Sequence, residues 1–229
     1  MNTKLFSISA AAVSSILAVS SASADVSLSA ELVHQGTNGL DGISVATYRV
    51  YANMDSDWRV DAVFGNSASA MNIESTGSFY QNAAGGNTSK DINSAFFAFV
   101  PSIEWDSYVT IGSLYQDGSP FGENSLNNIG IDWSSFNAGG ALSTDNGSWF
   151  VTPDDAQGGE IDGKVLLGQF SVIDGSGVLA QDMSAITMNV QGKDANGDTW
   201  VILGANALPA PGALALLGLA GIAAKRRRK

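Results

Sequence analysis

The 229-residue sequence contains no cysteine and only one histidine, His34. Without cysteine, the protein can form no disulfide, thiolate nucleophile or thiolate metal site. A catalytic triad or a histidine-based metal site would have to use His34, which stands beside the turn Gly36–Gly39 and is accompanied by no Gly-x-Ser-x-Gly motif. We therefore interpret His34 as a solvated turn residue and assign no catalytic residue.

Basic residues are scarce in the middle of the chain. The body, defined here as residues 25–207, contains all 22 acidic residues but only five cations, which gives it a net charge of −17. Those cations are Arg49, Arg59, Lys90, Lys164 and Lys193. A body with this charge repels nucleic acid and anionic lipid, so we expect neither as a partner. It could attract Ca²⁺, although solvation of an exported surface explains the charge without a metal.

The N-terminal segment has the three parts of a secretory signal. One positive charge, Lys4, precedes an apolar stretch that runs to Val19, and Ala22-Ser23-Ala24 follows with small residues at the positions that signal peptidase requires. The apolar stretch is short and rich in serine, which disfavours a membrane-spanning helix. We therefore predict a signal helix within residues 1–24 and cleavage after Ala24.

The C-terminal segment, residues 208–229, also has three parts. A Pro-x-Pro-Gly break at Pro209–Gly212 is followed by 12 mostly apolar residues, Ala213–Ala224, and by five cations, Lys225–Lys229. Twelve residues form a helix of about 18 Å, whereas a bilayer core is roughly 30 Å thick. This pattern predicts a short transmembrane helix whose cations stay in the cytoplasm, so that the body lies on the outer side of the membrane.

The C-terminal segment resembles the PEP-CTERM sorting tail. The residues that carry the resemblance are Pro209, Ala210, Pro211, Gly212, Arg226, Arg227 and Arg228. Ala210 stands where the family usually has an acidic residue, so this tail looks like a Pro-Ala-Pro-Gly variant. The resemblance implies that an exosortase-type membrane enzyme cuts the tail and transfers the protein to the cell surface. A plain C-terminal membrane anchor is the alternative.

The body has the pattern of strands separated by Gly, Asn, Asp and Ser turns. Apolar and polar residues alternate in four segments, which predicts antiparallel strands with one buried and one wet face. Those segments are Ala46–Ala52, Trp58–Phe64, Ile103–Ile111 and Ile186–Gln191. Two further runs, Ala95–Val100 and Val165–Ile173, are apolar on both faces and are therefore candidates for central strands.

These strands predict an all-β body, a two-sheet antiparallel sandwich of the jelly-roll kind. In the segments 47–52, 106–112 and 149–155 the body is similar to the secreted sandwich domains that often accompany this tail. Residues 112–147 are rich in Gly, Asn and Ser. They fit either a long loop or a β-rich insertion packed over one edge of a sheet.

Carboxylates and tryptophans supply the candidates for carbohydrate chemistry. The alternation places Glu104 and Asp106 on one outward face, and a pair of carboxylates at such spacing can hydrolyse glycosides. One such pair is expected by chance among 22 acidic residues, so we do not assign it as catalytic. Trp58 and Trp105 fall on apolar faces. Trp133 and Trp149, in or beside the long segment, are better placed to stack on sugar rings.

Two acidic segments are candidates for Ca²⁺. Asp194–Asp198 begins like a calcium loop but lacks the glycine and glutamate required at its sixth and twelfth positions. Its Asn-Gly pair instead favours a hairpin with a type I′ turn. A looser site is conceivable between residues 154 and 162. Its oxygen ligands would come from Asp154, Asp155, Glu160 and Asp162. We assign no metal ligand.

Together these features favour a non-enzymatic exported protein. The first hypothesis is a structural or binding protein, associated with the cell surface or with exopolysaccharide. Signal peptidase and an exosortase-type enzyme would process it, and it would be anchored transiently in the inner membrane before reaching the surface or the medium. The alternative is a carbohydrate-binding or carbohydrate-active protein that uses Glu104, Asp106 and tryptophans near the long segment.

Processing of both ends gives the first testable prediction. We expect mature protein at the surface or in the medium to begin at Asp25 and to end near Pro209, because signal peptidase and the tail-cutting enzyme remove the flanking segments. Intact-mass analysis of the released protein measures both ends at once. A population that keeps Lys225–Lys229 would show that the tail is a simple anchor, and one that keeps Met1 would contradict the signal peptide.

Overall fold

The computed structural model describes residues 26–40, 42–75, 77–173 and 186–209 of the chain. The predicted signal-cleavage residues Ala22 and Ala24 lie outside the described residues. So do the tail residues Ala210, Pro211, Gly212, Arg226, Arg227 and Arg228. Pro209 is described, and it ends the last strand.

The described chain is built mainly from β-strands, which confirms the all-β prediction. Eleven strands are β1 Ser27–Thr37, β2 Ser44–Asn53, β3 Arg59–Gly65, β4 Met71–Ile73, β5 Tyr108–Val109, β6 Asn127–Ile129, β7 Leu142–Thr144, β8 Gly147–Phe150, β9 Lys164–Ile173, β10 Ile186–Lys193 and β11 Thr199–Pro209. One α-helical turn, α1, covers Ser134–Asn137. Short 3₁₀ helices cover Ser89–Asp91, Ser94–Phe96, Pro101–Trp105 and Ala156–Gly158.

The strands form one curled mixed sheet in the order β5-β9-β2-β1-β11-β10-β3-β8-β6, with β4 bridging β10 and β7. The pairs are antiparallel except for β1 and β11, which run parallel with Leu28 opposite Ala207. Strand β11 pairs with β10 through its first part and with β1 through its last three residues. It therefore joins the two halves of the sheet.

A single apolar core fills the inside of the curl. Tyr48 and Phe170 come from the half that contains β2 and β9, and Val63 and Trp149 come from the half that contains β3 and β8. All four side chains are at most 2 % exposed. The alternation predicted for β2 and β10 is observed.

Strand β3 is present, but its predicted apolar face is wrong beyond Val60, because Val63 is buried in the core while Ala62 and Phe64 are only partly buried. The pairing with β10 shifts register between Val60 and Ala62, and this irregularity reverses the alternation. Val165–Ile173 lies in β9, which is buried on both faces as expected but is second from one edge of the sheet.

The second predicted central strand, Ala95–Val100, is wrong. The segment contains a 3₁₀ helix instead, and Phe96 and Phe99 are 52 % and 77 % exposed. The Asn93 side chain accepts a hydrogen bond from the Ala95 amide and so starts a turn. Pro101 begins the next 3₁₀ helix, where its missing N–H is tolerated.

The predicted strand Ile103–Ile111 is also mostly wrong, because Pro101–Trp105 is a 3₁₀ helix and only Tyr108–Val109 pairs in the sheet. The residues 112–147 are partly ordered into strands and a turn. They contribute β6 at the edge of the sheet, α1 and β7, and their Leu126, Phe136 and Leu142 are buried in the core. The segment thus combines two short strands and one helical turn with loops.

The hairpin predicted at Asp194–Asp198 is present between β10 and β11, but its turn type differs from the prediction. A type I′ turn needs positive φ at both central residues. Here Gly197 alone has positive φ (83°), and the Gly197 amide donates to the carbonyl of Asp194. The loop is therefore the three-residue kind, a turn closed by one left-handed glycine.

No helix within the described ranges is long and apolar enough to cross a membrane. The predicted tail helix, residues 213–224, lies outside those ranges.

Substitution of the buried Phe136 tests whether the Gly/Asn/Ser-rich segment, residues 112–147, is an integral part of the fold. Its ring contacts those of Phe79 and Phe170, with centroids 5.7 and 6.3 Å away. We expect Phe136→Ala to lower the free energy of unfolding by about 3–5 kcal/mol, because it leaves a cavity in the core. Urea denaturation measures the change. The matched control Phe99→Ala, at an exposed ring, should change it by less than about 0.5 kcal/mol. Equal effects would mean that the segment packs only loosely.

Candidate functional site

The candidate site lies on the face of the sheet that points away from the core. Strand pairing places Glu31 of β1 opposite Arg49 of β2, Arg49 opposite Gln169 of β9, and Gln169 opposite Tyr108 of β5. Directly paired residues point to the same side of a sheet. These four side chains therefore form one row across four strands, which we call the Arg49 row.

A layer of loops and 3₁₀ helices covers one end of the Arg49 row. Ile92, Ile103 and Tyr108 form a small apolar cluster there, separate from the main core. The Gln169 side-chain amide donates to the carbonyls of Glu104 and Asp106, at 2.9 and 3.0 Å, and so ties the layer to the sheet. Toward β1 the row opens into a cavity, which we call the Arg49 cavity.

The cavity has a volume of about 310 Å³ and is lined from two sides. The sheet contributes Arg49, Tyr51 and Lys164, among others, and the segment after β5 contributes Leu114 and Phe121, among others. It thus combines two aromatic rings and aliphatic groups with two of the five cations of the body. This is the usual composition of a small-ligand site, mostly apolar with a few polar groups.

Arg49 is partly buried and its partners are neutral. Its Nε donates to Oε1 of Gln169 at 3.1 Å. Its positive charge is close enough to the phenols of Tyr51 and Tyr115 to lower their pKa. Burial raises the pKa of both phenols, more than Arg49 lowers it, so both stay uncharged. Among the described residues, no carboxylate oxygen lies within 4.0 Å of Arg49.

Lys164, in contrast, has a carboxylate partner. Its Nζ lies 2.5 Å from Oε1 of Glu31 and 5.5 Å from the centre of the Tyr51 ring. The hydrogen bond to Glu31 is the main reason that the pKa of Lys164 is raised. Glu31 is the residue directly opposite Arg49 in the strand register, yet it pairs with Lys164. Within the described ranges, the guanidinium of Arg49 therefore has no ion-pair partner.

The predicted pair Glu104 and Asp106 does not share an outward face. Asp106 is fully buried, and its carboxylate accepts hydrogen bonds from the backbone amides of Asn82, Ser107 and Gly86 at 2.7, 3.0 and 3.1 Å. Burial raises its pKa from 3.8 to about 7, although the three amide donors lower it. Asp106 therefore stabilises the loop that contains these amides, and a substrate cannot reach its carboxylate.

His34 and Trp149 also differ from their predictions. His34 is partly buried and not a solvated turn residue, because its ring stacks on that of Trp105 with centroids 3.9 Å apart. Trp149 is completely buried, and its indole N–H donates to the carbonyl of Thr110 at 3.0 Å, so it cannot stack on a sugar. Trp133 is only partly buried and packs against Phe136.

The acidic residues proposed for Ca²⁺ are used locally. Asp155 accepts from the Gln157 amide at the start of a 3₁₀ helix, and Glu160 accepts from the amides of Asp57 and Gly163. Asp194 accepts from amides within its own hairpin loop. In the part of the chain that the structure describes, no group of three or more metal-ligating side chains is close enough to hold an ion.

Sequence reasoning missed the cavity itself. Arg49 was assigned to the polar face of β2, which is correct, but that face was expected to be wet. The available signals were the scarcity of cations in the body and the aromatic residues Tyr48 and Tyr51 beside Arg49. No family model matches this sequence, and no curated protein or solved structure matches it significantly.

The raised pKa of Asp106 predicts an unusual pH dependence. Between the unfolded pKa of 3.8 and the folded pKa of about 7, the folded protein keeps a proton that the unfolded chain releases. The contribution of Asp106 to stability is therefore favourable at low pH and falls as pH rises through this window. Relative to the variant Asp106→Asn, which cannot titrate here, the wild type should lose up to about 4 kcal/mol between pH 4 and pH 8.

Urea denaturation of both proteins at pH 4 and pH 8 measures this difference. The control is Asp132→Asn, at a fully exposed carboxylate whose pKa is lowered by hydrogen bonds from Ser134. Both pKa values of Asp132, folded and unfolded, lie at or below 3.8, so the difference in stability between wild type and Asp132→Asn should stay nearly constant between pH 4 and pH 8. If the difference between wild type and Asp106→Asn is the same at both pH values, Asp106 does not titrate in this range.

Proposed function

We propose that this chain is an exported, non-enzymatic binding protein, associated with the cell surface or with exopolysaccharide, whose body holds a saccharide unit in the Arg49 cavity. The observation that carries the proposal is the composition of that cavity. Two aromatic rings, Tyr51 and Phe121, stand beside hydrogen-bonding groups of Arg49 and Lys164 in a space of about 310 Å³. Sugars bind to proteins through their apolar ring faces on aromatic side chains and their hydroxyls on polar groups.

Catalysis by the same body is less well supported. The carboxylate pair on which an enzyme would depend includes Asp106, whose side chain is buried and bonded to three backbone amides. The acids that line the cavity are Glu31, which pairs with Lys164, and Asp162, which is exposed at its rim. We therefore favour the binding function over the carbohydrate-active alternative.

We extend the proposal to architecture and sorting. The two halves of the curled sheet, which enclose one core, are consistent with a two-sheet, jelly-roll-like sandwich. Signal peptidase would remove residues 1–24, and an exosortase-type enzyme would cut the C-terminal tail. Strand β11 ends at Pro209, the first proline of that tail, so a cut after it removes none of the described strands. Such a cut is compatible with a stable surface protein.

A glycan-binding assay with the mature body, residues 25–209, tests the function. We expect binding to surface polysaccharides, and we expect Phe121→Ala to weaken it by roughly three- to tenfold because one stacking ring is lost. Titration calorimetry measures the affinity, and a reducing-sugar assay on the same mixtures measures turnover. The control Phe99→Ala removes an exposed ring that does not line the cavity and should bind like the wild type. Robust turnover would contradict the non-enzymatic proposal.

A further inference from the structure

Arg49 differs from the other cations of the body in its surroundings. Arg59 pairs with Asp61 at 2.7 Å and Lys164 pairs with Glu31, while Lys90 is exposed to water. Lys193 is partly buried and donates to the carbonyl of Gly197 at 3.2 Å, but it lies in a hairpin and does not line the cavity. Arg49 is partly buried in a body of net charge −17, lines the cavity, and forms no ion pair with a carboxylate of the described residues. An acidic protein offers many carboxylates, so a partly buried arginine without one is unexpected.

The energetics of this arrangement favour an anion in the cavity. Removing a cation from water is unfavourable unless an opposite charge or full hydrogen bonding compensates it. A guanidinium has five N–H groups, and the Nε–H of Arg49 donates to Gln169. The terminal N–H groups of a guanidinium can donate in parallel to both oxygens of a carboxylate, which is a geometry that arginine binds well.

The ion pair of Glu31 explains why the guanidinium of Arg49 stays available to an anionic ligand. Glu31 stands directly opposite Arg49 in the register of β1 and β2, and would be its natural partner. Lys164, held over the ring of Tyr51, binds the Glu31 carboxylate instead. The ion pair of Lys164 and Glu31 thus keeps the one nearby acid of the sheet away from Arg49.

We propose that the Arg49 cavity binds a sugar unit that carries a carboxylate, with Arg49 as the carboxylate-binding residue. The inference rests on the saccharide-binding function proposed above and specifies the chemistry of its ligand. The ring face of the sugar lies against Tyr51 and Phe121, and its carboxylate reaches the guanidinium. The ion pair of Lys164 and Glu31 keeps the guanidinium of Arg49 open to the ligand, because it prevents Glu31 from pairing with Arg49.

The experiment compares three acidic trisaccharides, made of galacturonate, glucuronate or mannuronate, with their carboxyl-reduced neutral counterparts. We expect at least one acidic trisaccharide to bind about tenfold or more tightly than its neutral counterpart, because a charge-assisted hydrogen bond is lost on reduction. The preference should shrink at 0.5 M salt. The free uronate monosaccharides, as a further arm, show whether the site needs a polymer or a single unit.

Substitutions in the same assay separate Arg49 from general charge. Arg49→Gln should abolish the preference for the acidic sugar, whereas Lys193→Gln, which removes one cation from the hairpin between β10 and β11, should keep it. Because Arg49→Gln could disturb folding, a second variant leaves Arg49 in place. Lys164→Met frees Glu31 to pair with Arg49 and should reduce the preference for the acidic sugar. The double variant Lys164→Met/Glu31→Gln should restore that preference, while the overall affinity stays lower because the amine of Lys164 is missing in both variants. Circular dichroism confirms that each variant is folded.

The outcomes distinguish this inference from the function on which it rests. Equal binding of acidic and neutral trisaccharides, unchanged in Arg49→Gln, overturns the carboxylate assignment and leaves saccharide binding standing. A preference that survives in Arg49→Gln also overturns it. If no trisaccharide of either kind binds to the wild type, the proposed function fails as well.

Discussion

The burial of β2 and β9 on both faces is the constraint on which the rest of the structure depends. One face packs into the apolar core through residues such as Tyr48 and Phe170. The other carries Thr47, Gln169 and Ser171, which are polar and fully buried beneath the layer of 3₁₀ helices. Buried polar groups are tolerated only when they are hydrogen-bonded, because they have lost their water. The layer above the sheet must therefore supply partners, which fixes where it lies.

A network of polar contacts ties this layer to the sheet. The Thr47 and Ser171 hydroxyls bond each other at 2.7 Å, and the Ser107 hydroxyl accepts from the Ser171 amide at 3.0 Å. The side-chain amide of Gln169 donates to two carbonyls of the layer. The buried carboxylate of Asp106 accepts hydrogen bonds from three backbone amides. The Arg49 cavity lies where the layer ends, so its shape depends on the same network that buries the polar face.

The sequence correctly predicts strands in which apolar and polar residues alternate. The prediction fails where a second layer covers the sheet. Alternation identified β2, β3 and β10 as strands, although it assigned the wrong face to β3 beyond Val60. The continuous apolar run identified β9. The same rule failed for Ala95–Val100, because its apolar residues lie in the covering layer or in solvent and not in the sheet. Alternation also marked the Thr47 face as wet, since a polar residue looks the same in sequence whether it meets water or a buried partner. The candidate site could not be predicted, because the lack of a partner for Arg49 depends on how Lys164 and Glu31, far apart in the chain, are aligned by strand register.

The pairing of β1 with β11 has a consequence for the kinetics of folding. Among the described strands it is the only hydrogen-bonded link between the two halves of the sheet, and it joins the first strand to the last. Contacts between residues so distant in sequence form late, because a long loop must close before they can form. The strands of the two halves are interleaved along the chain, and the halves can join through this pairing only when residues 207–209 have emerged. The sheet can therefore close completely only after all of the described strands have emerged.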